Sequence, residues 1–354
     1  MTQPVPFALT DLRQLLAHGF DDIIDVRAPT EFADDHLPGA ISLPVLDDVE
    51  RARVGTIYKQ QSPFLARKVG GALVARNVAA HLEGPLADRD GGWRPLVYCW
   101  RGGQRSGSMA VILAAVGWRV AVVQGGYKTW RSLVVRALHD TPVPSPLIVL
   151  DGQTGTAKTA LLARMAARGV QVIDLEGLAN HRGSLFGGMP GGQPTQRGFE
   201  GQLAMALAAL DPARPVVVEA ESSKVGNLAL PPMLWKAMLT APRLAVTAPV
   251  PARAAYLTRA YADLVADAAR LDAVVASLRP LHPAEVIAHW RGLVHDGDVV
   301  ALAADLMTRH YDQRYERSRA RSADRIVATF EVDGLEDAGL DRLADRLTSA
   351  VRAL

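Results

Sequence analysis

The stretch Tyr98-Cys99-Trp100-Arg101-Gly102-Gly103-Gln104-Arg105-Ser106 contains the only cysteine of the 354-residue chain. It follows an apolar run, residues 96–99, that predicts a β-strand, and it precedes a helical pattern over residues 106–116. A loop between a strand and a helix points backbone N–H groups at one spot, where the helix dipole adds positive charge. The sequence therefore predicts a loop that binds an anion and stabilises the thiolate of Cys99.

Two arginines accompany the cysteine, and Cys99 and Arg105 have the Cys-x5-Arg spacing of cysteine-dependent phosphatases. Loops of the rhodanese type, in which the cysteine carries a persulfide, have compatible spacing, so spacing alone leaves both chemistries open. We take Cys99, Arg101 and Arg105 as catalytic candidates, with the arginines neutralising an incoming anion. The alternative is an inert core cysteine, because cysteine is among the most frequently buried residue types.

Residues on both sides of this loop favour the rhodanese alternative. The stretches Asp25-Val26-Arg27, Glu31-Phe32 and His36-Leu37-Pro38-Gly39-Ala40-Ile41 resemble the rhodanese signature, and Gly125-Gly126-Tyr127 resembles its glycine turn into the last helix. We interpret the charged residues of the first two stretches as a structural ion network. Short apolar runs alternate with helical patterns in this part of the chain, which predicts a parallel sheet.

The composition excludes several classes of protein. Hydrophobic residues make up 49% of the chain, and the single cysteine excludes an internal disulfide, a multi-cysteine zinc site and a CxxC pair. The net charge is only +2, so a nucleic-acid partner must bind a local basic patch. Because the sequence shows neither a secretory signal nor a membrane-spanning run, we expect a cytoplasmic protein without membrane contact.

The proline-rich segment Thr141-Pro-Val-Pro-Ser-Pro146 predicts a linker between two α/β domains. We expect a rhodanese-like parallel-sheet domain at residues 1–140 and a P-loop NTPase-like domain at residues 147–354. The second has a helical appendix at about residues 251–322, followed by a C-terminal strand and helix. The apolar runs that predict strands are residues 23–26, 96–99 and 120–123 in the first domain and 147–150, 170–173, 216–218 and 244–247 in the second.

The second domain begins with the loop Gly152-Gln-Thr-Gly155-Thr-Ala157-Lys158-Thr159 between a strand and a helical run. In a P-loop, Gly-x4-Gly-Lys-Ser/Thr, backbone N–H groups and the lysine bind phosphates and the hydroxyl meets a metal ion. We take Gly152, Gly155, Lys158 and Thr159 as phosphate-binding candidates, with Mg²⁺ a candidate at Thr159 and no tightly bound cofactor. Ala157 replaces the second glycine. A helix start tolerates alanine, but the change disfavours tight nucleotide binding. A plain strand-to-helix turn is the alternative.

Polar residues follow two further strands of the second domain, and loops at the carboxyl ends of parallel strands are where α/β proteins bind ligands. The basic residues of the first loop are candidate contacts for an anionic substrate, and the strand-end acids of the second are candidates for holding Mg²⁺ through water. A surface loop and a solvated strand end are the alternatives. The candidates are Asp174, His181, Arg182, Glu219 and Glu221.

Taken together, the two halves resemble the tRNA 2-selenouridine synthase family, in which a rhodanese domain is fused to a P-loop-like domain. The resemblance extends from Asp25 to about Tyr261, and Ala157 and Ser223 depart from the family pattern. The stretches that carry it are Glu50-Arg51, Val54-Gly-Thr56, Tyr58-Lys-Gln60, Tyr98–Gly103 with Arg105-Ser106, Gly125–Lys128, Asp174–Ser184 with Phe186-Gly187, Gln193-Pro194 with Gln196, Phe199-Glu200, and Glu219 with Glu221-Ser222.

The resemblance implies a reaction on the wobble uridine of tRNA, in which selenium from selenophosphate replaces the sulfur of a 2-thiouridine. It also implies a preceding S-geranylation by geranyl diphosphate, which converts the sulfur into a good leaving group. The partners are then tRNA, these two co-substrates and an enzyme that produces selenophosphate. Cys99, as a thiolate or selenolate carrier, suits the selenium step, and the P-loop-like site suits a diphosphate.

A locally basic segment, residues 309–321, is the candidate tRNA contact, because cations bind phosphates and its two tyrosines can stack on unpaired bases. The residues are Arg314, Arg317 and Arg319. The alternative is a solvated helix face.

Three competing functions stay open at this stage. They are a stand-alone rhodanese-type sulfurtransferase, a Cys-x5-Arg phosphatase, and a tRNA-binding adaptor without catalysis.

Overall fold

The computed structural model describes residues 3–320 and 322–354, with the side chains of Ser318 and Arg319 left undescribed. The chain divides into two compact units. The first comprises the chain up to Thr141 together with Pro194–Ala209, and the second comprises Pro142–Gln193 and Leu210–Leu354.

The first unit is built around a five-stranded parallel sheet in the order β1-β5-β4-β2-β3. Strand β4 is buried along its whole length, which explains its uninterrupted apolar sequence. The strands are β1 Val5–Phe7, β2 Asp22–Asp25, β3 Ala40–Ser42, β4 Pro95–Tyr98 and β5 Ala121–Val123. The helices are α1 Pro29–Asp34, α2 Asp48–Gln60, α3 Pro63–Glu83, α4 Gln104–Val116 and α5 Gly126–Val135, and a short 3-10 helix (Leu12–Leu15) and a π-helical turn (Arg136–Asp140) complete the set.

The second unit is built around another five-stranded parallel sheet, in the order β12-β11-β6-β8-β7. Its strands are β6 Leu147–Gly152, β7 Gln171–Ile173, β8 Val216–Glu219, β11 Arg243–Thr247 and β12 Ile326–Glu331, and a small antiparallel pair is formed by β9 Lys224–Val225 and β10 Leu228–Ala229. The helices around this sheet are α6 Lys158–Ala167, α7 Leu175–Leu178, α9 Pro232–Thr240 and α16 Asp337–Ala353. The predicted fold class, two parallel-sheet α/β domains of rhodanese-like and P-loop-like type with C-terminal helices, is confirmed.

The helical appendix has its own apolar core, in which Trp290 and Val275 are fully buried. Its helices are α10 Val250–Ala260, α11 Ala262–Val265, α12 Ala268–Ala276, α13 Ala284–His295, α14 Val299–Leu306 and α15 Asp312–Arg319, with a π-helical turn at Met307–Tyr311 and a 3-10 turn at Ala323–Arg325. Within the described residues, no helix is long and apolar enough to cross a membrane.

Helix α8, Gln196–Ala208, lies within the stretch expected to belong to the second domain but packs in the first unit. Arg197 Nη1 donates to Asp34 at 2.7 Å, Arg131 forms an ion pair with Glu200, and a Cβ on Gly201 would approach Trp130 to 3.3 Å. The expected single second domain at residues 147–354 therefore differs from the structure at this helix. The reason is that a helix between two strands of one sheet need not pack on that sheet.

Candidate functional site

Cys99 lies where β4 ends and the loop to α4 begins, and its side chain is almost completely buried. The Ser106 hydroxyl donates to Cys99 Sγ over 3.1 Å. Burial by itself raises the pKa of the thiol, but hydrogen bonds from Ser106 and from the backbone N–H groups of Arg101 and Gly103 outweigh it and lower that pKa below its usual value. The loop therefore favours a thiolate, as its sequence predicts.

The loop closes tightly because Gly102 and Gly126 both adopt positive φ angles, +64° and +59°. A Cβ on Gly126 would collide with the carbonyl oxygen of Cys99 and with the backbone nitrogen of Gly102. The Tyr127 N–H donates to that carbonyl oxygen at 2.8 Å. Glycine is needed at both positions because only a residue without a side chain permits this approach.

The two arginines of the loop do not act alike. Arg105 Nη1 forms a 2.7 Å ion pair with Glu31 Oε2, and the same carboxylate oxygen accepts from Arg51 Nε at 3.2 Å. The Arg101 side chain is exposed, and only its backbone N–H contributes to the thiolate. We expected Arg105 to neutralise an incoming anion, but in the structure the Glu31 carboxylate already neutralises its guanidinium.

The interpretation of Asp25 and Arg27 as a structural network agrees with their contacts. Arg27 Nη2 donates to Asp25 Oδ2 at 2.6 Å, and the Tyr98 hydroxyl donates to the same oxygen at 2.7 Å. Both charged side chains are buried. A buried charge is tolerated when it is paired and hydrogen-bonded, as here.

The phosphate-loop candidates lie together where β6 leads into α6. Gly152 is the last residue of β6, and Gly155, with φ +85°, lies in the turn that follows. Lys158 Nζ donates to the Gly152 carbonyl at 3.0 Å, so the lysine crosses the loop, and Thr159 Oγ1 donates to Glu176 Oε2 at 2.7 Å. This loop can bind an anion through backbone N–H groups and the ammonium.

Ala157 has φ +61° and ψ +29°, in the left-handed region. We expected a helix start that tolerates alanine, but the position requires a conformation that a Cβ disfavours by about 1–2 kcal/mol. The expectation is corrected. The P-loop pattern has glycine at this position because glycine adopts the left-handed conformation without strain.

Three glutamates lie near the phosphate loop and differ in environment. Glu219 is fully buried, and its Oε1 accepts from the Glu176 N–H at 2.7 Å. Its burial and the nearby acids Asp174 and Glu176 raise its pKa well above the usual value. For Glu221, burial together with the charge of Glu176 and a hydrogen bond to it outweighs the opposing effect of Lys158 and raises the pKa to about 8. Glu221 therefore keeps its proton at neutral pH.

A cleft of about 910 Å³ in the second unit brings most of these residues together. Its lining includes the phosphate loop and, of the predicted substrate-loop residues, Asp174, Arg182 and Glu221. Arg182 is paired with Asp263 at 2.7 Å rather than free for an anion. Glu219 is buried, and its carboxylate accepts a hydrogen bond from the backbone of Glu176 rather than lining the cleft. The ring of His181 packs against Gly226, where an added Cβ would lie 2.9 Å from His181 Cδ2.

A second, smaller cavity of about 80 Å³ lies in the helical appendix. Its walls are apolar and include Phe186, Leu264 and Leu302. The residues that line both this cavity and the cleft are Thr154, Ser184, Leu257, Tyr261 and Tyr311. An apolar space thus adjoins an anion-binding loop.

The predicted tRNA-contact segment lies on α15, where Arg314 and Arg317 are exposed; the Arg319 side chain and Arg321 lie outside the described residues. Both tyrosines of this segment are directed into the fold. The Tyr315 hydroxyl donates to Asp151 at 3.0 Å, and Tyr311 lines both cavities. The expectation that they stack on bases is corrected, because these positions already have partners inside the domain.

Sequence reasoning missed three residues of these sites: Ser106, which donates to the thiol sulfur; Glu176, which accepts from Thr159; and Tyr261, which lines both cavities. Ser106 lies seven residues after the cysteine, in the first turn of the next helix, which is the signal that could have identified it. The other two carry no local pattern. Across the described ranges, no group of three or more His, Cys, Asp or Glu residues is arranged to hold a metal ion.

Comparisons with known proteins find a family model for each of the two parts of the chain. Residues 145–275 match the family model of the tRNA 2-selenouridine synthase AAA domain, and residues 8–133 match that of the rhodanese-like domain.

Relatives named tRNA 2-selenouridine synthase match both parts. The protein from Shewanella loihica is 33% identical over 89% of this chain and 91% of its own length. That from Aeromonas salmonicida is 39% identical over 68% of this chain, and the match spans 65% of its own length. The match to the Nitrosomonas europaea protein, 41% identical over 59% of this chain, spans 55% of that relative.

Proposed function

The chain belongs to the tRNA 2-selenouridine synthase family, and from that premise we propose that it replaces the sulfur of a tRNA 2-thiouridine with selenium through an S-geranylated intermediate. The co-substrates are geranyl diphosphate and selenophosphate, and the partners are tRNA and an enzyme that produces selenophosphate. A protein that catalyses this reaction is a transferase. We propose that it acts in the cytoplasm, where its tRNA substrate is found.

The observation that carries this proposal is the apolar cavity beside the phosphate-loop cleft. Geranyl diphosphate has an anionic head and a branched apolar tail, and the two spaces offer each part its own environment. Cavities of about 150 Å³ accept a benzene ring, so the 80 Å³ cavity fits the end of the tail and the wider cleft holds the rest. The alanine at position 157, where the P-loop pattern has glycine, is compatible with a site that does not bind a nucleotide tightly.

In the first step, the sulfur of 2-thiouridine attacks C1 of geranyl diphosphate. A carbon–sulfur bond forms, the carbon–oxygen bond breaks, diphosphate leaves, and the proton on N3 of the uracil passes to water. The loop N–H groups and Lys158 stabilise the negative charge that develops on the leaving group. In the structure the Lys158 ammonium donates to the carbonyl oxygen of Gly152, and when the diphosphate binds it would donate to a phosphate oxygen instead.

In the second step, selenium of selenophosphate attacks C2 of the modified uracil, the carbon–sulfur bond at C2 breaks, and geranylthiol leaves. The Cys99 thiolate then attacks phosphorus, the phosphorus–selenium bond breaks to leave 2-selenouridine, and water hydrolyses the new sulfur–phosphorus bond and releases phosphate. We assign this step to the loop of Cys99, whose lowered pKa and inward N–H groups suit a thiolate nucleophile. Arg101, exposed beside it, is the cation available to the incoming donor.

Magnesium is part of the proposal at Thr159. Mg²⁺ is commonly bound through one or two carboxylates plus substrate phosphates, and the Thr159 hydroxyl and the Glu176 and Glu221 carboxyl groups provide oxygen ligands of that kind. When bound, the ion would supply positive charge to the diphosphate. For tRNA, exposed Arg314 and Arg317 on α15 are proposed phosphate contacts.

The test is mass spectrometry of nucleosides from thiolated tRNA after incubation with the protein, with geranyl diphosphate and selenophosphate added singly and together. We expect S-geranyl-2-thiouridine with the first alone and 2-selenouridine with both. Cys99→Ser should abolish the selenium product and leave the geranyl product.

Equal loss of both products in Cys99→Ser would contradict the division between the sites. Thiocyanate release from thiosulfate and cyanide, without any change in tRNA, would support a stand-alone sulfurtransferase instead.

A further inference from the structure

Residues 51–82 contain six Lys or Arg residues and not one Asp or Glu. Their net charge of +6 exceeds the +2 of the whole chain, so the rest of the chain is net negative. The segment forms most of α2 and α3, which pack against each other as a helical hairpin in the first unit. The six cations are Arg51, Arg53, Lys59, Arg67, Lys68 and Arg76. We call α2 and α3 together the basic hairpin.

Four of these cations have no carboxylate partner in the described parts of the chain. They are Arg53, Lys59, Arg67 and Lys68, and all four are exposed. The other two are paired, Arg51 with Glu31 and Arg76 with Glu50. Unpaired exposed cations leave a positive potential that attracts a polyanion.

Aromatic side chains accompany these cations at the tip of the hairpin. Tyr58 is 58% exposed and Phe64 is 70% exposed. Phe64, Arg67 and Lys68 lie at i, i+3 and i+4 of α3 and therefore share one helix face. A solvated helix face has no need for an exposed phenyl ring, whereas a face that stacks on an unpaired base does.

The two helices of the basic hairpin are joined along their length, from the start of α2 to the start of α3. Glu50 accepts from Arg76 Nη2 at 2.8 Å and from Asn77 Nδ2 at 2.7 Å, which joins α2 to α3. The helices approach closely where Gly70 meets Val54, at 3.4 Å for a Cβ built on the glycine, and the Ser62 hydroxyl caps α3. A preorganised surface loses little conformational entropy on binding.

The basic hairpin is also joined to the cysteine loop. Glu31 accepts from Arg105, at the start of α4, and from Arg51, in the first turns of α2. A strand of RNA that lies along the hairpin therefore reaches the neighbourhood of Cys99.

We propose that the basic hairpin is a tRNA-binding surface, on which Arg53, Lys59, Arg67 and Lys68 contact phosphates and Tyr58 and Phe64 stack on unpaired bases. This inference rests on the proposed function for its RNA, and it adds a surface separate from α15. The class of ligand follows from the charge and the rings together, since phosphates need cations and bases need aromatic faces.

The test measures binding of a tRNA transcript to the full chain by fluorescence anisotropy over a series of salt concentrations. The variant Lys59→Ala/Arg67→Ala/Lys68→Ala should flatten the slope of log Kd against log salt by about two to three, because each phosphate contact contributes about 0.7–0.9. The matched control removes three exposed cations elsewhere, Arg119→Ala/Arg279→Ala/Arg342→Ala, and should keep the wild-type slope.

The pair Tyr58→Ala/Phe64→Ala tests stacking separately. It should weaken binding at least about fivefold at fixed salt without changing the slope. All these side chains are exposed, so the thermal midpoint should stay at the wild-type value.

If wild type binds and modifies tRNA but the hairpin triple variant keeps the wild-type slope, this inference fails, the proposed function stands, and the exposed rings then indicate a protein partner. If wild type binds no tRNA, both fail together.

Discussion

The Ser106 hydroxyl donates its hydrogen bond directly to the sulfur of Cys99, 3.1 Å away, from the first turn of the helix that follows the cysteine loop. Removing it in Ser106→Ala should raise the pKa of the thiol by about one unit, since a hydrogen bond to a charged group contributes about 1.5–3 kcal/mol and one unit corresponds to about 1.4. Thiolate ultraviolet absorbance against pH measures this shift, and Cys99 is the only thiol that contributes.

Ser108→Ala on the same helix is the matched control, because Ser108 is exposed and should leave the thiolate titration unchanged. Identical titration curves for the two variants would show that the backbone N–H groups alone set the pKa.

If the tail of geranyl diphosphate binds in the apolar cavity and the diphosphate binds at the phosphate loop, a substitution in the cavity should weaken binding of the tail alone. Ala303→Phe fills the cavity and should cost geranyl diphosphate about 2 kcal/mol of binding free energy, the value of a few buried methylene groups, while inorganic diphosphate binds as before. Lys158→Ala should weaken both ligands. Calorimetry with both ligands distinguishes the cases, and equal losses for Ala303→Phe would mean that the tail lies elsewhere.

The left-handed conformation of Ala157 predicts that glycine is better there. Ala157→Gly should stabilise the protein by up to about 1 kcal/mol, which for a unit of this size raises the thermal midpoint by a few degrees. Ala166→Gly in the same helix, at an exposed right-handed position, should destabilise it by about 0.5–1 kcal/mol. A lower midpoint for Ala157→Gly would show that the loop gains nothing from the freedom of glycine.

The proton held by Glu221 predicts a pH dependence of stability. The pKa of Glu221 is raised to about 8 in the folded state, whereas in the unfolded chain the carboxyl group has the ordinary pKa of a glutamate. Between these two pKa values the folded state holds a proton that the unfolded chain has lost. This contribution is complete below about pH 4, and it is lost as the pH rises through 8. Urea unfolding of the wild type should therefore show falling stability over this range.

Glu221→Gln is the matched variant, since the amide has the size of the protonated carboxyl group and does not titrate. Its stability should fall less than that of the wild type between pH 5 and pH 8. Parallel curves for the two proteins would mean that Glu221 is ionised throughout.

The elements that sequence predicts well are those whose pattern is local. The run at residues 147–150 and the loop from Gly152 to Thr159 occur where expected, because a buried parallel strand is continuously apolar and the phosphate loop follows it directly. Strand β1 was not expected, since three residues at a sheet edge give no readable period. The exposed α2 was not expected either, because it buries only Ile57 and has almost no apolar face.

The sequence predicts which residues belong to the site but not which side chains they pair with. Lys158 and Thr159 follow from spacing, whereas the pairing of Arg182 with Asp263 and of Tyr315 with Asp151 joins residues far apart in the chain. Spacing identifies a cation and cannot say that a distant carboxylate already neutralises it.

Helix α8 has a consequence for how the protein can be divided. The chain passes from one unit to the other three times, at residues 141–142, 193–194 and 209–210. A gene fragment that stops in the proline-rich linker would encode the cysteine-loop fold without this helix, leaving Arg131 without Glu200 and Asp34 without Arg197. The two units therefore cannot be exchanged independently between proteins, because the first unit is completed by a segment that is encoded within the second.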